Sequence, residues 1–424
     1  MNSAEQTTAG ANGCPVHPGA VPLDGHEFLS DPYGLYSRVR REYGPVVPVE
    51  LYGGFPAWLV IGYRELHQVT SDSELFNRKS DNWNQWPNVP EDWPLRPMIG
   101  IPVPSIYYTI GAEHRRHSQL VEAALDGVDP FALRRTVEDI ADRLIDSFCG
   151  RGRADLVAEY AEPLPLLALA SALGLSSEEG SLLAWTMREL SQGGPDAMAA
   201  QMRFGEQITR LVAQAKITGV DGIVTRMLNF PAPFTDEEII YNVMAITAAG
   251  YLPTSDWLVN SVRLMLVDDR FAAALGGGRH SIGQAMNEVL WEEAPTQILA
   301  GRWASRDTRL GNQVIRAGDM VLLGLGAANS DPHVRQQLGD GPEPAQAGNS
   351  AHFAFSHGEF RCPFPAQQIA EVISRTGIEV LLDRLPDIDL AVPEHELVRK
   401  PNPWLRGLNS VPVRYTPVPV VGGF

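Results

Sequence analysis

The sequence predicts a single large domain that is mainly α-helical and carries small β-sheets. Hydrophobic residues make up 44% and charged residues 20% of the 424 residues, which is usual for a chain that buries a substantial core. Between Glu113 and Asp269 nearly all apolar residues have helical spacing, whereas strand-like stretches lie before and after this body. No internal repeat and no linker divides the chain.

Residues 1–20 are polar, without a basic start or an apolar run, so they predict a disordered N-terminal tail before one domain over residues 21–424. The longest apolar stretch, Leu164–Leu175, is about a dozen residues, and a bilayer needs roughly 20. We therefore expect a soluble, cytoplasmic protein without a membrane anchor.

The charge balance and the cysteine content exclude several classes of protein. The chain carries 34 basic and 51 acidic residues, a net charge of −17, which disfavours binding to nucleic acid and to anionic membranes. Three cysteines, Cys14, Cys149 and Cys362, are too few for a disulfide framework and fit a reducing compartment. A metal site at Cys14 and His17 would lack further ligands.

The N-terminal part predicts a small sheet followed by a long loop. Tyr33–Tyr43 has helical spacing, and Val46–Leu51 and Ala57–Ile61 read as two strands about a Gly53-Gly54 turn. From Asn77 to Ile110 the periodicity is lost. Loops of this length without secondary structure are usually functional.

The remaining chain predicts one long central helix and then mixed structure. Thr235 and Glu238 form a capping-box signature, which starts an apolar helix that runs to about Val267. The predicted elements that follow are a helix at Ser281–Glu293, strands at Gln313–Ile315 and Met320–Leu325, a helix at Pro365–Leu382, and strands around Val398 and at Val411–Tyr415.

Cys362 is the cysteine most suited to chemistry. It stands where a loop rich in turn-forming residues leads into the predicted helix from Pro365. Free backbone N–H groups and the positive end of the helix dipole favour a thiolate, so we expect the pKa of Cys362 to be lowered. A thiolate is an iron ligand.

The loop before Cys362 resembles the ligand loop of cytochromes P450, whose form is F-x-x-G-x-x-x-C. Phe355, Gly358 and Cys362 match it in register, and the order of elements agrees over nearly the whole chain. The resemblance implies the cytochrome P450 fold and haem b, with Cys362 as the axial ligand of the iron. It also implies further cofactor-binding residues, namely His114 and Arg302 at the propionates, Ala249 in the oxygen-binding segment of the central helix, and Phe355, Gly358 and Arg361 in the ligand loop. Gly250 of the same segment is a candidate catalytic residue.

In the central helix the sequence departs from the family at the residues that relay protons. Leu252 stands at the position of the usual acid and Pro253 at that of the usual threonine. Pro253 is expected to kink the helix. Thr254 and Ser255 are the candidate catalytic hydroxyls in their place, the alternative being that both bond the backbone one turn back. Asp256 is expected on the helix surface.

Other departures concern haem binding. Trp291 replaces the arginine of the family's E-x-x-R that begins at Glu288, and it is expected to fill the same place with apolar packing. Ser118 replaces an arginine four residues after His114, so Arg115, Arg116 or Arg361 are candidates to compensate. Three further replacements near the ligand are Ser356 for glycine, Phe360 for a basic residue and Phe364 for glycine.

The resemblance implies an oxidoreductase that uses dioxygen on a small, apolar or aromatic secondary metabolite. Two reactions remain open: hydroxylation, and oxidative C–C or C–N coupling, for instance of tryptophan-containing cyclic dipeptides. A catalytically silent haem-binding scaffold is the alternative. The candidate substrate-binding residues are Trp83, Trp86 and Trp93 of the long loop together with Ile298, Leu299 and Leu408.

Electrons must come from separate proteins, since the chain has no flavin or nicotinamide fingerprint and no iron–sulfur cysteine cluster. The resemblance implies a ferredoxin and a ferredoxin reductase. Arg115, Arg116, His117 and Arg361 are expected to form the surface on which an acidic ferredoxin docks.

Overall fold

The computed structural model describes residues 19–100, 102–192, 196–268, 271, 279–334 and 349–422. The predicted tail over residues 1–20, including Cys14 and His17, therefore lies almost entirely outside the described residues. Helices dominate, as the sequence predicts. They are α1 (His26–Ser30), α2 (Pro32–Tyr43), α3 (Tyr63–Ser71), α4 (Arg96–Ile99), α5 (Gly111–Asp126), α6 (Pro130–Asp146), α7 (Pro163–Leu173), α8 (Ser177–Gln192), α9 (Ala197–Thr218), α10 (Ile223–Leu228), α11 (Asp236–Val267), α12 (Arg279–Glu292), α13 (Leu325–Asn329) and α14 (Phe364–Arg384).

The strands form three small sheets. They are β1 (Val21–Pro22), β2 (Val46–Leu51), β3 (Phe55–Val60), β4 (Phe76–Asn77), β5 (Arg153–Asp155), β6 (Ile298–Ala304), β7 (Thr308–Leu310), β8 (Gln313–Ile315), β9 (Met320–Gly324), β10 (Asp389–Leu390) and β11 (Pro412–Arg414). The largest sheet has the order β1-β2-β3-β9-β6-β4, and the smaller ones are β10-β11-β5 and β7-β8. Strand β3 of the N-terminal hairpin therefore pairs with β9, which lies more than 260 residues later in the chain.

The central helix α11 is the axis of the helical body. Thr235 caps it by accepting from the backbone N–H of Glu238, whose carboxylate accepts from the backbone of Thr235, so the predicted capping box is confirmed. The helix continues for 32 residues across Pro253. Helices α7, α9, α12 and α14 pack around it, and their apolar side chains form the largest core. Such a helix is apolar on nearly every side because it is buried on nearly every side.

The strand prediction around Val398 is wrong. Val398 is exposed, and the neighbouring Arg399 makes only an isolated bridge to Leu408. Strands β5 and β6 were not predicted from the sequence.

Among the described helices, none combines the length and the apolar character that a membrane span requires.

Candidate functional site

Cys362 lies at the end of a tight loop that leads into α14. Its backbone N–H donates to the carbonyl of Phe355 at 3.0 Å, and the N–H of Arg361 donates to the carbonyl of Gly358 at 3.3 Å. The side-chain amide of Gln367, in the first turn of α14, donates to the carbonyl of Cys362 at 2.8 Å. These bonds fix the sulfur relative to the helix.

Two residues of this loop have left-handed backbone conformations. Gly358 has φ 74°, and a Cβ atom there would lie 1.9 Å from the carbonyl oxygen of Thr70 in α3. Only glycine allows the loop to approach α3 so closely. Ser356 has φ 60° and is, within the part of the chain that the structure describes, the single non-glycine residue with positive φ. This conformation explains why glycine is usual at that position.

The expectation that the helix terminus lowers the pKa of Cys362 is wrong for the free thiol. Burial raises the pKa of Cys362 to about 12, because the surroundings cannot stabilise an isolated negative charge. A bound cation changes this balance, since a coordinating metal deprotonates a thiol outright. A metal bound to this sulfur would therefore convert the thiol to a thiolate.

Arg302 is aimed into the interior by an irregularity in β6. The register with β9 shifts between Leu299 and Arg302, and Gly301 has φ 94°. The residue is 1% exposed, and its guanidinium donates one bond to the carbonyl of Gly301, while Nε and Nη2 have no partner among the described residues. Burial and the nearby Arg78 lower the pKa of Arg302 well below its usual range. Because buried donors are nearly always hydrogen-bonded, we expect a bound anion to accept from these two nitrogen atoms.

Arg78 is a second buried cation at the same place, and sequence reasoning missed it. It follows β4 and donates from Nη2 to the carbonyl of Phe360 at 3.0 Å. The guanidinium carbons of Arg78 and Arg302 lie 5.0 and 4.8 Å from the centre of the Phe360 ring. Phe360 thus replaces a basic residue with a ring that both arginines contact.

His114, in the first turn of α5, joins the same cluster. Its ring lies edge-on to Phe360, with 4.7 Å between ring centres. Nδ1 is 3.1 Å from the carbonyl oxygen of Ile106, and Nε2 is 3.2 Å from that of Glu359. Burial lowers the pKa of His114, and the positive charge of Arg78 lowers it further, so the neutral imidazole is favoured near neutral pH.

These residues fit haem b. The ligand loop places a thiol and Phe360 two residues apart, and buried cations that lack an anion surround Phe360. A porphyrin with an iron centre and two carboxylates matches this donor set, in which the cations would hold the propionates and Cys362 the iron.

The middle of α11 is open on one face. Ala248 and Ala249 are exposed although the helix is otherwise largely buried. Gly250 instead packs on α7, where an added Cβ would lie 3.1 Å from Leu169. Small side chains on this face leave room for a ligand, whereas the small residue at 250 allows close helix packing.

The predicted catalytic hydroxyls lie in the packed part of α11. Thr254 and Ser255 are both buried, and the carbonyl of Thr254 accepts a 3.5 Å bond from Ser374 of α14. The Ser255 hydroxyl has no partner among the described residues. Their role in catalysis stays a prediction.

Asp256 is not on the helix surface, so that expectation is wrong. It is 1% exposed, and its Oδ2 has no partner among the described residues. Burial raises the pKa of Asp256 to about 7, assisted by the negative charge of Glu162 and opposed by Lys400 and Arg399. It also packs closely on Gly407, where a Cβ would lie 2.4 Å from Oδ1.

The three tryptophans of the long loop form a packed cluster beside the largest sheet. Trp83 and Trp93 are buried, contact each other and both contact the ring of Phe55 on β3. Trp86 lies against Trp83 and donates to the carbonyl of Ser80. Core packing accounts for these positions without a substrate, and the predicted role in substrate binding stays a prediction.

The other predicted substrate-binding residues belong to three different hydrophobic cores. Ile298 is buried with the tryptophan cluster, Leu299 is half-buried on the other face of the sheet, and Leu408 is buried in the helical core. The pairing of Ile298 and Leu299 with β9 places them just before the bulge that aims Arg302 inward.

The predicted cationic docking surface is only partly present. His117 is buried and bonded to Asn242 of α11, and Arg116 pairs with Glu113 and Glu238. These two residues are therefore engaged in attaching α5 to α11, which corrects the expectation. Arg115 and Arg361 remain exposed, and Arg115 lies 3.6 Å from Glu359.

Comparison with known proteins gives relatives along nearly the whole chain, although no protein-family model matches it. The polyketide biosynthesis cytochrome P450 PksS of Bacillus subtilis is 27% identical over 407 residues, covering 92% of this chain and 97% of that protein. The cytochrome P450 monooxygenase PikC of Streptomyces venezuelae is 27% identical and covers 92% of each chain.

Solved structures of bacterial cytochromes P450 share this fold. CYP154C4 from a Streptomyces species superposes with a TM-score of 0.79 at 26% identity, covering 93% of this chain and 97% of that one. P450BioI, solved in complex with an acyl carrier protein, superposes with a TM-score of 0.77 over 92% of this chain at 24% identity, which supports the fold. The chain has the cytochrome P450 fold, its homologues are bacterial cytochromes P450, and it is an enzyme of the haem b monooxygenase type.

Proposed function

We propose that this bacterial cytochrome P450 homologue oxidises a small apolar or aromatic secondary metabolite with dioxygen. The observation that carries the proposal is the convergence of Cys362 with the buried, anion-free cations around Phe360, because this donor set is suited to haem. The names of the relatives, which include a polyketide biosynthesis enzyme, support a substrate from secondary metabolism.

The chain supplies the setting in which haem works. Cys362 would hold the haem iron, and haem, when bound, would supply the activation of dioxygen. Ala248 and Ala249 present the least bulky part of α11 and leave space for substrate. Gly358 holds the ligand loop against α3, so the sulfur keeps its position.

Asp256 is our candidate for the acid that Leu252 does not provide. In a helix with 3.6 residues per turn, Asp256 lies about one turn beyond Leu252 and about two turns beyond Ala249, on the same face. Its pKa of about 7 allows it to hold a proton near neutral pH and to release one. Thr254 lies on another face, because it is two residues away from Leu252.

Between the two reactions, we favour oxidative C–C or C–N coupling, with a tryptophan-containing cyclic dipeptide as an example substrate. Leu252 and Pro253 stand where an acid and an alcohol usually relay protons to dioxygen. Coupling would remove one hydrogen atom from each of two substrate positions, and dioxygen, with two electrons from the redox partner and two protons, would be reduced to water. Hydroxylation remains the second candidate, because Asp256 offers another acid.

We also propose that Trp291 does the structural work of the arginine in E-x-x-R. Trp291 is fully buried in α12, and its indole N–H donates to the carbonyl of Asn349 at 3.0 Å. Its ring lies edge-on to His352, 5.8 Å between centres, at the start of the ligand loop. This bond ties α12 to the segment before Cys362 without a buried ion pair.

Electrons are proposed to come from a ferredoxin and its reductase, through the side of the molecule that carries Arg115 and Arg361. Reversal of both charges should slow reduction by an acidic ferredoxin and flatten its dependence on salt. An unchanged rate with an unchanged salt dependence would contradict this docking site.

The function is tested by turnover with a ferredoxin, a ferredoxin reductase and a panel of apolar and aromatic substrates, followed by mass spectrometry of the products. A gain of one oxygen atom identifies hydroxylation, whereas joined units without added oxygen identify coupling. A haem-loaded protein that forms no product with any substrate of the panel would contradict the proposed reaction.

A further inference from the structure

We infer that Arg78 binds one of the two haem propionates, and that Phe360 holds it beside Arg302 for this purpose. The inference rests on the proposed function, because it concerns how haem is bound. It assigns to Arg78 the propionate contact that an arginine at position 118 would make and that Ser118 cannot make. It extends to the charge balance of the site, in which two buried cations match two carboxylates.

The sheet brings the two arginines together. β4 pairs with β6 so that Asn77 lies opposite Trp303, which places Arg78, the residue after β4, beside Arg302 inside β6. The ring of Phe360, in the loop before Cys362, contacts both, because each guanidinium carbon lies within 5.0 Å of the ring centre. Any anion held by one arginine is therefore close to the other.

The charges of this pair are uncompensated. Arg78 donates to the carbonyls of Phe360 and Ile106, at 3.0 and 3.4 Å, and these bonds leave its charge without a counter-ion. Neither arginine makes an ion pair with a carboxylate of the described residues. A buried cation without an anion is unfavourable by several kcal/mol, so the arrangement is understandable only with a bound anion.

The alternative candidates are engaged elsewhere. The hydroxyl of Ser118 bonds Glu122 on the exposed side of α5. Arg116 pairs with Glu113 and Glu238, and Arg115 points to Glu359 at the surface. Arg78 is thus the buried cation of the described residues that stands with Arg302 and His114 around Phe360.

The test compares apoprotein reconstituted with haem b and with haem dimethyl ester, in which both propionates are uncharged. Wild-type protein should bind the diacid more tightly than the ester. Arg78→Gln should reduce this preference at least about tenfold, as loss of a charged partner in a cofactor shell commonly does. Arg78→Lys, which keeps the charge, should retain most of the preference, and Arg135→Gln, at an exposed residue of α6, should leave it unchanged.

A wild-type preference in Arg78→Gln would overturn the assignment. If Arg78→Gln does not fold, the propionate bending band in the resonance Raman spectrum of Arg78→Lys decides: a shifted band supports the contact, and an unshifted band refutes it. Because these readouts measure cofactor binding and not turnover, their failure is distinguishable from failure of the proposed reaction.

Discussion

Replacement of Asp256 by asparagine should stabilise the protein, and the gain should grow as pH rises. The carboxyl is buried in α11 without an ion pair among the described residues, and burial raises its pKa from 3.8 to about 7. Asparagine keeps the shape of the protonated acid and cannot ionise, so Asp256→Asn removes the cost of a buried charge.

The sign and size follow from proton linkage. Between these two pKa values the folded state holds a proton that the unfolded state has lost, so wild-type stability falls as pH rises through this range. At about 1.4 kcal/mol per pKa unit the full effect is about 4 kcal/mol. Since part of it is already present at pH 5, the stability difference between variant and wild type should increase by about 2 to 3 kcal/mol from pH 5 to pH 8.

The assay is urea unfolding of both proteins at pH 5, 6, 7 and 8, with haem bound. Asp236→Asn, at an exposed acid in the first turn of the same helix, controls for the loss of one negative charge. A difference between Asp256→Asn and wild type that stays constant over this range would show that Asp256 is ionised throughout, and the reasoning would fail.

Three further substitutions test the ligand loop and its support. Gly358→Ala should destabilise the protein by more than about 2 kcal/mol and reduce the haem content of purified protein, because its Cβ would lie 1.9 Å from the Thr70 carbonyl. Ser356→Gly should raise stability by about 1 kcal/mol in urea unfolding, because glycine adopts φ 60° without strain; a loss would show that the serine hydroxyl matters more. Trp291→Phe should cost about 1 kcal/mol through loss of the bond to Asn349, and an unchanged unfolding midpoint would remove the proposed tie.

Local patterns predicted the helices and the ligand loop well. The capping box at Thr235 fixed the start of α11, and the turn-rich loop before a helix located Cys362, because both signals lie within a few residues. The fold class could be predicted for the same reason, since helical periodicity extends over most of the chain.

Contacts between residues that are far apart in the chain could not be predicted from local sequence patterns. Arg78 meets Phe360 across 282 residues, so no local pattern shows that it is buried beside Arg302. Asp256 and His117 were expected at the surface, but His117 lies where α5 packs on α11, and Asp256 lies against Gly407 of a distant loop. For Asp256, a helix buried on most sides has no periodicity that marks its exposed face. The pKa of Cys362 was predicted from the helix end alone, whereas burial dominates it.

The central claim is that the sulfur of Cys362 binds the haem iron as a thiolate. The most direct test is the absorption spectrum of the reduced protein under carbon monoxide, measured for wild type and for Cys362→Ser. Thiolate ligation predicts a Soret band at unusually long wavelength in wild type and its loss in the variant. A wild-type protein without this band, or a variant that keeps it, would contradict the account.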